Sequence, residues 1–446
     1  MASYEEEEVE EEFIDPSQPL TLEQAMLLGT RMHRLNLLDD AYKCYAAVLE
    51  AAPEHPDALH FMGILEHQRH NGALALSYLR RAVARAPNAP GLQHNLGNIL
   101  LEQRRFDDAA DAYERCAKLG GETAELLNNI GVLRRQQKQY AAAEAAYVKA
   151  LQLQPEYVDA YTGYGRVLER MNRFDEALLQ YEKALELAPK HASARCQAGV
   201  ALCSMRRYDE AAQVFRDWLL VDPDNAIAKH YLAACTGEDV PTRCSDAYVA
   251  STFDEFARSF DARLELLGYC APELIGTAVR ELYGEPRAQL DVLDAGCGTG
   301  LCAPVLRPFA RELRGVDLSE GMLQAAKARG GYDSLQHAEL TAFIRDHERA
   351  FDLIVCADTF CYFGDLEPAC RAALRALRDG GRLIFTVEAL AEGSFKLHPF
   401  GRYSHSQAYL REVLARAGFT ATRERSAVLR SENGEPVHGY VVVAQR

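Results

Sequence analysis

Basic residues are in the minority: 49 Lys and Arg stand against 65 Asp and Glu, for a formal charge of −16. The chain therefore lacks the basic footprint that general nucleic-acid binding needs. Long apolar runs are missing too, and no stretch reaches the roughly 18 residues of a membrane-crossing helix. The opening MASYEEEE has neither a basic n-region nor an apolar h-region, so no secretory signal is expected. Twelve Cys occur, none in a CxxC pair. The closest spacings, Cys297 to Cys302 and Cys356 to Cys361, are too loose for a zinc knuckle. These absences predict reduced thiols, no bound metal and a cytoplasmic location. Residues 1–20 hold seven Glu, Asp15 and no Lys or Arg, so half the net charge lies in a leading acidic tail read as disordered.

What is present is a repeat. Gly29, Gly63, Gly97, Gly131, Gly165 and Gly199 recur every 34 residues. Twelve positions after each comes Ala41, Ala75, Ala109, Ala143, Ala177 or Ala211. Four further on stands a large residue: Tyr45, Leu79, Tyr113, Tyr147, Tyr181 or Phe215. Pro53, Pro87, Pro155, Pro189 and Pro223 close five units, and Gly121 takes that slot in the third. Each unit reads as two amphipathic helices, with small residues where the helices approach and a proline where the second must stop. This period and these slots resemble the tetratricopeptide repeat, although that family's signature Trp is absent. The resemblance covers residues 21–225 as six repeats, and 226–250 read as a capping helix and linker.

Repeats of this kind stack into a solenoid whose concave face binds partners. The resemblance puts His94, Asn95, Asn98, Asn128, Asn129, Arg135, Arg166 and Arg170 on that face. Asn95, Asn98 and Asn129 are expected to hold a peptide backbone, since each amide offers donors and an acceptor. Arg135 and Arg166 are expected to take acidic groups. The acidic tail is an intramolecular candidate for the same groove.

From residue 251 the pattern changes to short apolar runs alternating with helices. Strands are expected at 290–295, 312–317, 333–338, 351–357 and 381–387, then at 422–430 and 437–444 as a hairpin across Asn433 and Gly434. Such βαβ alternation predicts a mostly parallel sheet covered by helices. The first strand ends in Leu293-Asp294-Ala295-Gly296-Cys297-Gly298-Thr299-Gly300. The glycines there allow close backbone approach to a ligand. The second strand ends in Asp317, where a carboxylate can accept from two ribose hydroxyls. The segment Gly298, Gly300, Ala303 also fits a dinucleotide loop, so an NAD reading is open on the glycines alone.

The wider run of Asp294 with its glycines, Gly315-Val316-Asp317-Leu318-Ser319, Met322 and then Glu339 resembles class I S-adenosylmethionine-dependent methyltransferases. That resemblance implies S-adenosyl-L-methionine as cofactor. Asp294 would face its amino-acid part and Asp317 its ribose. Glu339 would meet the adenine amine, with Leu318, Met322 and Leu340 flanking the ring. Gly296, Cys297, Gly298 and Gly300 would supply the loop. The segments Phe253-Asp254-x-Phe256 and Phe260-Asp261, then Tyr269 and Pro272, resemble the lid helices of bacterial methyltransferases that carry tetratricopeptide repeats, as does Gly401-Arg402-Tyr403-Ser404-His405-Ser406 with Tyr409. Phe256, Phe260 and Tyr269 would close over the cofactor. The fold expected is thus multidomain: an all-α tetratricopeptide-repeat solenoid, then an α/β Rossmann-like methyltransferase domain over 251–446 with N-terminal lid helices.

Methyl transfer is an in-line displacement, so the protein mainly aligns nucleophile and methyl. The stretch after the fourth strand, Cys356-Ala357-Asp358-Thr359-Phe360, lacks the Asn/Asp-Pro-Pro-Tyr run used on amide or base nitrogens, which argues against glutamine or DNA acceptors. Asp358, Tyr362, Tyr403 and His405 are the expected acceptor-side catalytic residues, with Glu388 and His398 as further base candidates. Three functions fit: methylation of a peptide or protein held by the repeat groove; a repeat scaffold with a non-catalytic cofactor domain; small-molecule O- or C-methylation with the repeats used for assembly.

Overall fold

The computed structural model describes residues 20–446 except 70, 258, 259 and 433, without the side chains of residues 255 and 256. The chain divides into two compact units at 194/195.

In the first unit, helices pair in sequence: α1 Leu22–Arg34 with α2 Leu38–Ala51, α3 Pro56–Gln68 with α4 Gly72–Arg85, α5 Pro90–Glu102 with α6 Phe106–Lys118, α7 Ala124–Gln136 with α8 Tyr140–Leu153, and α9 Val158–Arg170 with α10 Phe174–Leu187. The repeating glycine is explained by one contact. A Cβ on Gly165 would stand 2.4 Å from the Tyr181 ring, and one on Gly131 would stand 2.7 Å from the Tyr147 ring. The large residue of the second helix thus lies flat against the glycine of the first, and Tyr45, Tyr113, Tyr147 and Tyr181 are buried there. Helices α2, α4, α8 and α10 each stop two residues before the unit's proline. The turn between paired helices needs a left-handed residue, supplied by Asn36, Arg104, Lys138 and Asn172 with φ of 58–60°.

Helix α11, Ala192–Ser204, crosses the division. The second unit continues with α12 Tyr208–Val221 and α13 Ala226–Thr236, which Asn225 caps by accepting from the Ala228 N–H at 2.9 Å. Helix α14, Asp246–Phe256, begins inside the span read as linker because Ser245 caps it. Then come α15 Phe260–Leu266 and α16 Ala271–Tyr283.

The sheet follows: β1 Leu290–Ala295, α17 Ala303–Leu306, β2 Ala310–Asp317, α18 Glu320–Arg329, β3 Ser334–His337, α19 Leu340–Arg345, β4 Phe351–Cys356, α20 Glu367–Ala376, β5 Leu377–Leu390, β6 Phe395–Leu397, β7 Tyr403–Ser406, α21 Gln407–Ala417, β8 Ala421–Glu432 and β9 Glu435–Gln445. The parallel order is β3-β2-β1-β4-β5. Strand β9 pairs antiparallel with β5 and with β8, so the expected hairpin closes one edge. The sheet is covered on both faces by apolar clusters around Phe385, Leu410 and Val442 and around Ile275, Leu306 and Leu353. Strands β6 and β7, which the sequence pattern does not announce, extend the sheet where β7 runs beside Glu388–Leu390 of β5.

Candidate active site

At the C-terminal ends of β1, β2 and β4 lies a cavity of about 330 Å³. Its walls include Asp294, Gly296, Cys297, Gly298, Asp317, Leu318, Met322, Glu339, Leu340, Asp358 and Tyr362. The mouth of an open parallel sheet is where such folds take ligands.

Asp294 is buried at the end of β1, and its carboxylate accepts from the Tyr332 hydroxyl at 2.6 Å. Burial pushes this carboxyl up to about 7. Asp317 accepts from the Gly298 N–H at 2.8 Å and the Ser319 N–H at 2.9 Å. Burial raises its carboxyl as well, against the pull of those N–H groups. The glycine loop is held by β2, whose Val316 carbonyl accepts from Gly296 at 2.8 Å and Cys297 at 3.0 Å. Gly298 has φ +53°, and a Cβ there would meet nothing within 4 Å, so open space lies beside it. Gly300 is not in the wall; it packs under Tyr332, whose ring would stand 3.0 Å from an added Cβ. Glu339 caps α19, accepting from Thr341 at 3.0 Å and Ala342 at 2.7 Å.

Two helices roof the cavity. Phe253 of α14 and Phe260 of α15 meet edge to face at 5.8 Å, and Tyr269 and Pro272 complete that wall. The Phe256 side chain falls outside the described residues. Asp254 accepts from the Ser319 hydroxyl and from the Gly321 N–H at 3.1 Å, while Asp261 accepts from Thr299 and Arg329. The roof is thus fastened to the loops after β1 and β2.

At the ends of β4, β5 and β8 lies an ion network that the sequence did not announce. Arg430 of β8, 2% exposed at its side chain, contacts Asp358 at 3.1 Å, Glu432 at 2.8 Å and Glu388. Arg402 contacts Glu388 at 2.7 Å and also Glu432. Asp358 sits at φ +53°, held by its N–H donating to Thr386 Oγ1 at 2.8 Å. Burial raises the Asp358 carboxyl, whereas for Glu388 the two arginines outweigh burial and hold it below the ordinary range. Burial pushes the Tyr362 phenol well above its usual value, which makes it a poor base.

Two expected catalytic residues are not in the cavity. His405 is fully buried on β7, its Nε2 bonded to the Gly364 carbonyl at 3.1 Å, and burial pushes it down to about 4. Tyr403 is also fully buried and donates to the Pro241 carbonyl at 2.7 Å. Both pack the inserted strand pair. His398 likewise lies outside the wall, bonded to Ser404 Oγ at 2.7 Å.

In the repeat unit, the expected amide clamp is partly occupied by its own neighbours. Asn95 donates to His60 Nε2 at 2.7 Å. Asn129 donates to His94 Nε2 and to Asn98 Oδ1, both at 3.0 Å, and Asn98 also accepts from Tyr113. The slot two before Gly97 and Gly131 therefore locks a histidine of the preceding unit. Arg135 and Arg166 lie near the Tyr147 hydroxyl, which is fully buried between the helices.

The helical repeats, the parallel sheet closed by an antiparallel hairpin and the Asp294–glycine–Asp317 constellation define a class: tetratricopeptide repeats followed by a class I methyltransferase domain. Comparison with known proteins gives the same class. A methyltransferase-domain family matches residues 293–385, and tetratricopeptide-repeat families match 34–90, 92–125, 122–190 and 162–229. The malonyl-[acyl-carrier protein] O-methyltransferase of Erwinia pyrifoliae is 31% identical over 163 residues, 36% of this chain and 59% of that protein. Human methyltransferase-like protein 27 is 34% identical over 140 residues, 30% of this chain and 56% of that protein. The chain thus spans under two thirds of the length of these relatives. Among solved structures, an S-adenosylmethionine-dependent methyltransferase from Mesorhizobium loti is 23% identical at a TM-score of 0.31, over 38% of this chain and 96% of that one. Among the described residues no helix is long and apolar enough to cross a membrane, and no His, Cys, Asp or Glu group is placed to hold a metal.

Proposed function

We propose that this protein is a cytoplasmic S-adenosylmethionine-dependent methyltransferase whose acceptor is a peptide, or a group carried by a protein, recruited through the repeat groove. The observation that carries the cofactor reading is the pair of buried carboxylates on one cavity wall. Asp294 has spare acceptor capacity for an ammonium, and Asp317 stands beside Gly298 for the ribose hydroxyls. The cofactor supplies an electrophilic methyl on a sulfonium. The chain's own residues hold and align: Leu318, Met322 and Leu340 give an apolar seat for the adenine, and the α14–α15 roof excludes water.

The acceptor reading rests on two features. Among the described residues the cavity wall contains no His or Lys, and its tyrosines and thiols with resolved shifts, such as Tyr269, Tyr362 and Cys302, are pushed upward by burial. Asp358 is the acceptor-side carboxylate, and it is engaged by Arg430. Such a site suits an acceptor that is already nucleophilic and needs positioning more than deprotonation. The relatives named for O-methyl transfer to a malonyl group on acyl carrier protein act on a protein-borne acceptor, which agrees with a repeat groove carrying Arg135 and Arg166.

The test uses methyl-tritiated cofactor and the full chain with candidate acceptor proteins. Arg135→Ala with Arg166→Ala should lower label transfer to the acceptor at least tenfold and leave cofactor affinity unchanged. Unchanged transfer would remove the groove from the reaction, and absence of cofactor binding in the parent chain would remove the methyltransferase reading itself.

A further inference from the structure

We infer that Cys203 and Cys235 form a redox-modification site, a dithiol that a hydroperoxide closes to a disulfide. Cys203 lies on α11 and Cys235 near the C-terminal end of α13, and their Sγ atoms are 3.3 Å apart. That is direct sulfur–sulfur contact, about 1.3 Å from the bonded separation. Cys203 is fully buried, whereas Cys235 is half-buried and so reachable by a small oxidant. The site does not depend on the methyl-transfer reading.

The thiols differ in a way that sets an order of events. The two thiols share one hydrogen bond, which holds Cys235 below the usual thiol range and, with burial, keeps Cys203 above it. Cys244, Cys297, Cys302, Cys356, Cys361 and Cys370 are all shifted the other way by burial. Thiolate character and access together select the cysteine that is oxidised first. The Cys235 thiolate attacks the distal oxygen of the hydroperoxide. The O–O bond breaks, an alcohol or water leaves, and Cys235 becomes a sulfenic acid. Cys203 sulfur then attacks the Cys235 sulfur, and the S–O bond breaks as water departs with the Cys203 proton. Two electrons pass from the sulfur pair to the peroxide, and both thiol protons end in the released water and alcohol.

The bond would have a structural consequence because of what α13 carries. Tyr231 of this helix lines the cavity, and His230 Nε2 is bonded to the Gly401 carbonyl at 2.9 Å, between Phe400 and Arg402 of the same wall. A disulfide to α11 would pin the helix that forms one end of the cavity.

The full-length protein is treated with equimolar hydrogen peroxide, remaining thiols are alkylated, and the digest is mapped by mass spectrometry. The expected result is a Cys203–Cys235 linked peptide two hydrogens lighter than the reduced pair, reversed by dithiothreitol. An apparent Tm several degrees higher is expected, because the bond closes a loop of about 30 residues in the unfolded chain. In Cys203→Ser, Cys235 should stop at a sulfenic acid that dimedone traps. Sulfinic acid accumulating on Cys235 without linkage would overturn the site in the parent chain. So would a bond to Cys196 instead, or both thiols remaining reduced while others oxidise.

Discussion

Asp294 gives the sharpest test of the cofactor site, through protons. Its carboxyl is buried with one hydrogen-bond donor, Tyr332, and burial sets it at about 7. If the cofactor's ammonium docks against it, the bound state favours the carboxylate and the free state below that value favours the acid. Binding at pH 6 should then release about 0.9 proton, and affinity should fall about tenfold per pH unit below about 6.5, each unit being about 1.4 kcal/mol. The cofactor's own amine titrates near the α-amino value of about 8, so the informative window is roughly pH 5.5–7. Isothermal titration calorimetry in buffers of different ionisation enthalpy reads the proton count directly. Asp294→Asn should remove both the proton release and the pH slope, leaving a weaker but flat affinity. Zero proton release at pH 6 in the parent chain would refute the docking of the ammonium on Asp294.

Four further outcomes are expected. Asp317→Asn turns one carboxylate oxygen into a donor facing the N–H of Gly298 or Ser319. Losing charge-assisted contacts worth about 1.5–3 kcal/mol should weaken cofactor binding about 10- to 100-fold by calorimetry. Gly165→Ala drives a Cβ to 2.4 Å from the Tyr181 ring, which Glu169 tethers at 2.9 Å. Overpacking of about 1–3 kcal/mol exceeds the roughly 1 kcal/mol gained in helix propensity, so Tm should fall, whereas Gly91→Ala, with nothing within 4 Å, should not lower it. Arg104→Gly relieves a left-handed residue at φ 59° and should raise stability by about 0.5–1 kcal/mol in urea titration. For His405, whose folded value of about 4 lies below the unfolded value near 6.5, stability is retained above 6.5 and lost as pH falls towards 4. His405→Phe should therefore flatten stability against pH in that interval, as read by thermal melts, while leaving the pH profile of methyl transfer unmoved.

Much of the architecture is legible in the chain because it repeats or alternates. The 34-residue glycine spacing states where each ring will lie, and five apolar runs state the parallel strands. What escapes is set by contacts distant in sequence. Strand β7 is Tyr403-Ser404-His405-Ser406, with no apolar run, and it is buried only because Phe395, Tyr409 and Gly364 surround it. A histidine in such a run looks like a base on a loop; the strand makes it a packing residue. The His60–Asn95 and His94–Asn129 bonds span 35 residues, one step beyond the repeat. A slot-by-slot reading of single units therefore sees free amides where the stacked units pair them.

The ion network explains why the two ends of the cavity differ chemically. Asp358, Glu388 and Glu432 share Arg402 and Arg430, and all five are wholly or partly withdrawn from water. Removing one partner of such a set leaves a buried charge uncompensated, at a cost of about 3–5 kcal/mol, so the set holds its geometry. Strand β8 and the loop carrying Arg402 are thereby tied to the ends of β4 and β5. Among the described residues, the hydrogen bonds of Asp294 and Asp317 come from a phenol and backbone N–H groups, not from an arginine, and satisfy them only in part. Lone pairs left over on buried carboxylates favour a ligand bringing cations or hydroxyls, while carboxylates already saturated by guanidinium favour a rigid wall. On the proposed function, this division of arginines among the described residues would separate a binding half from a positioning half within one cavity.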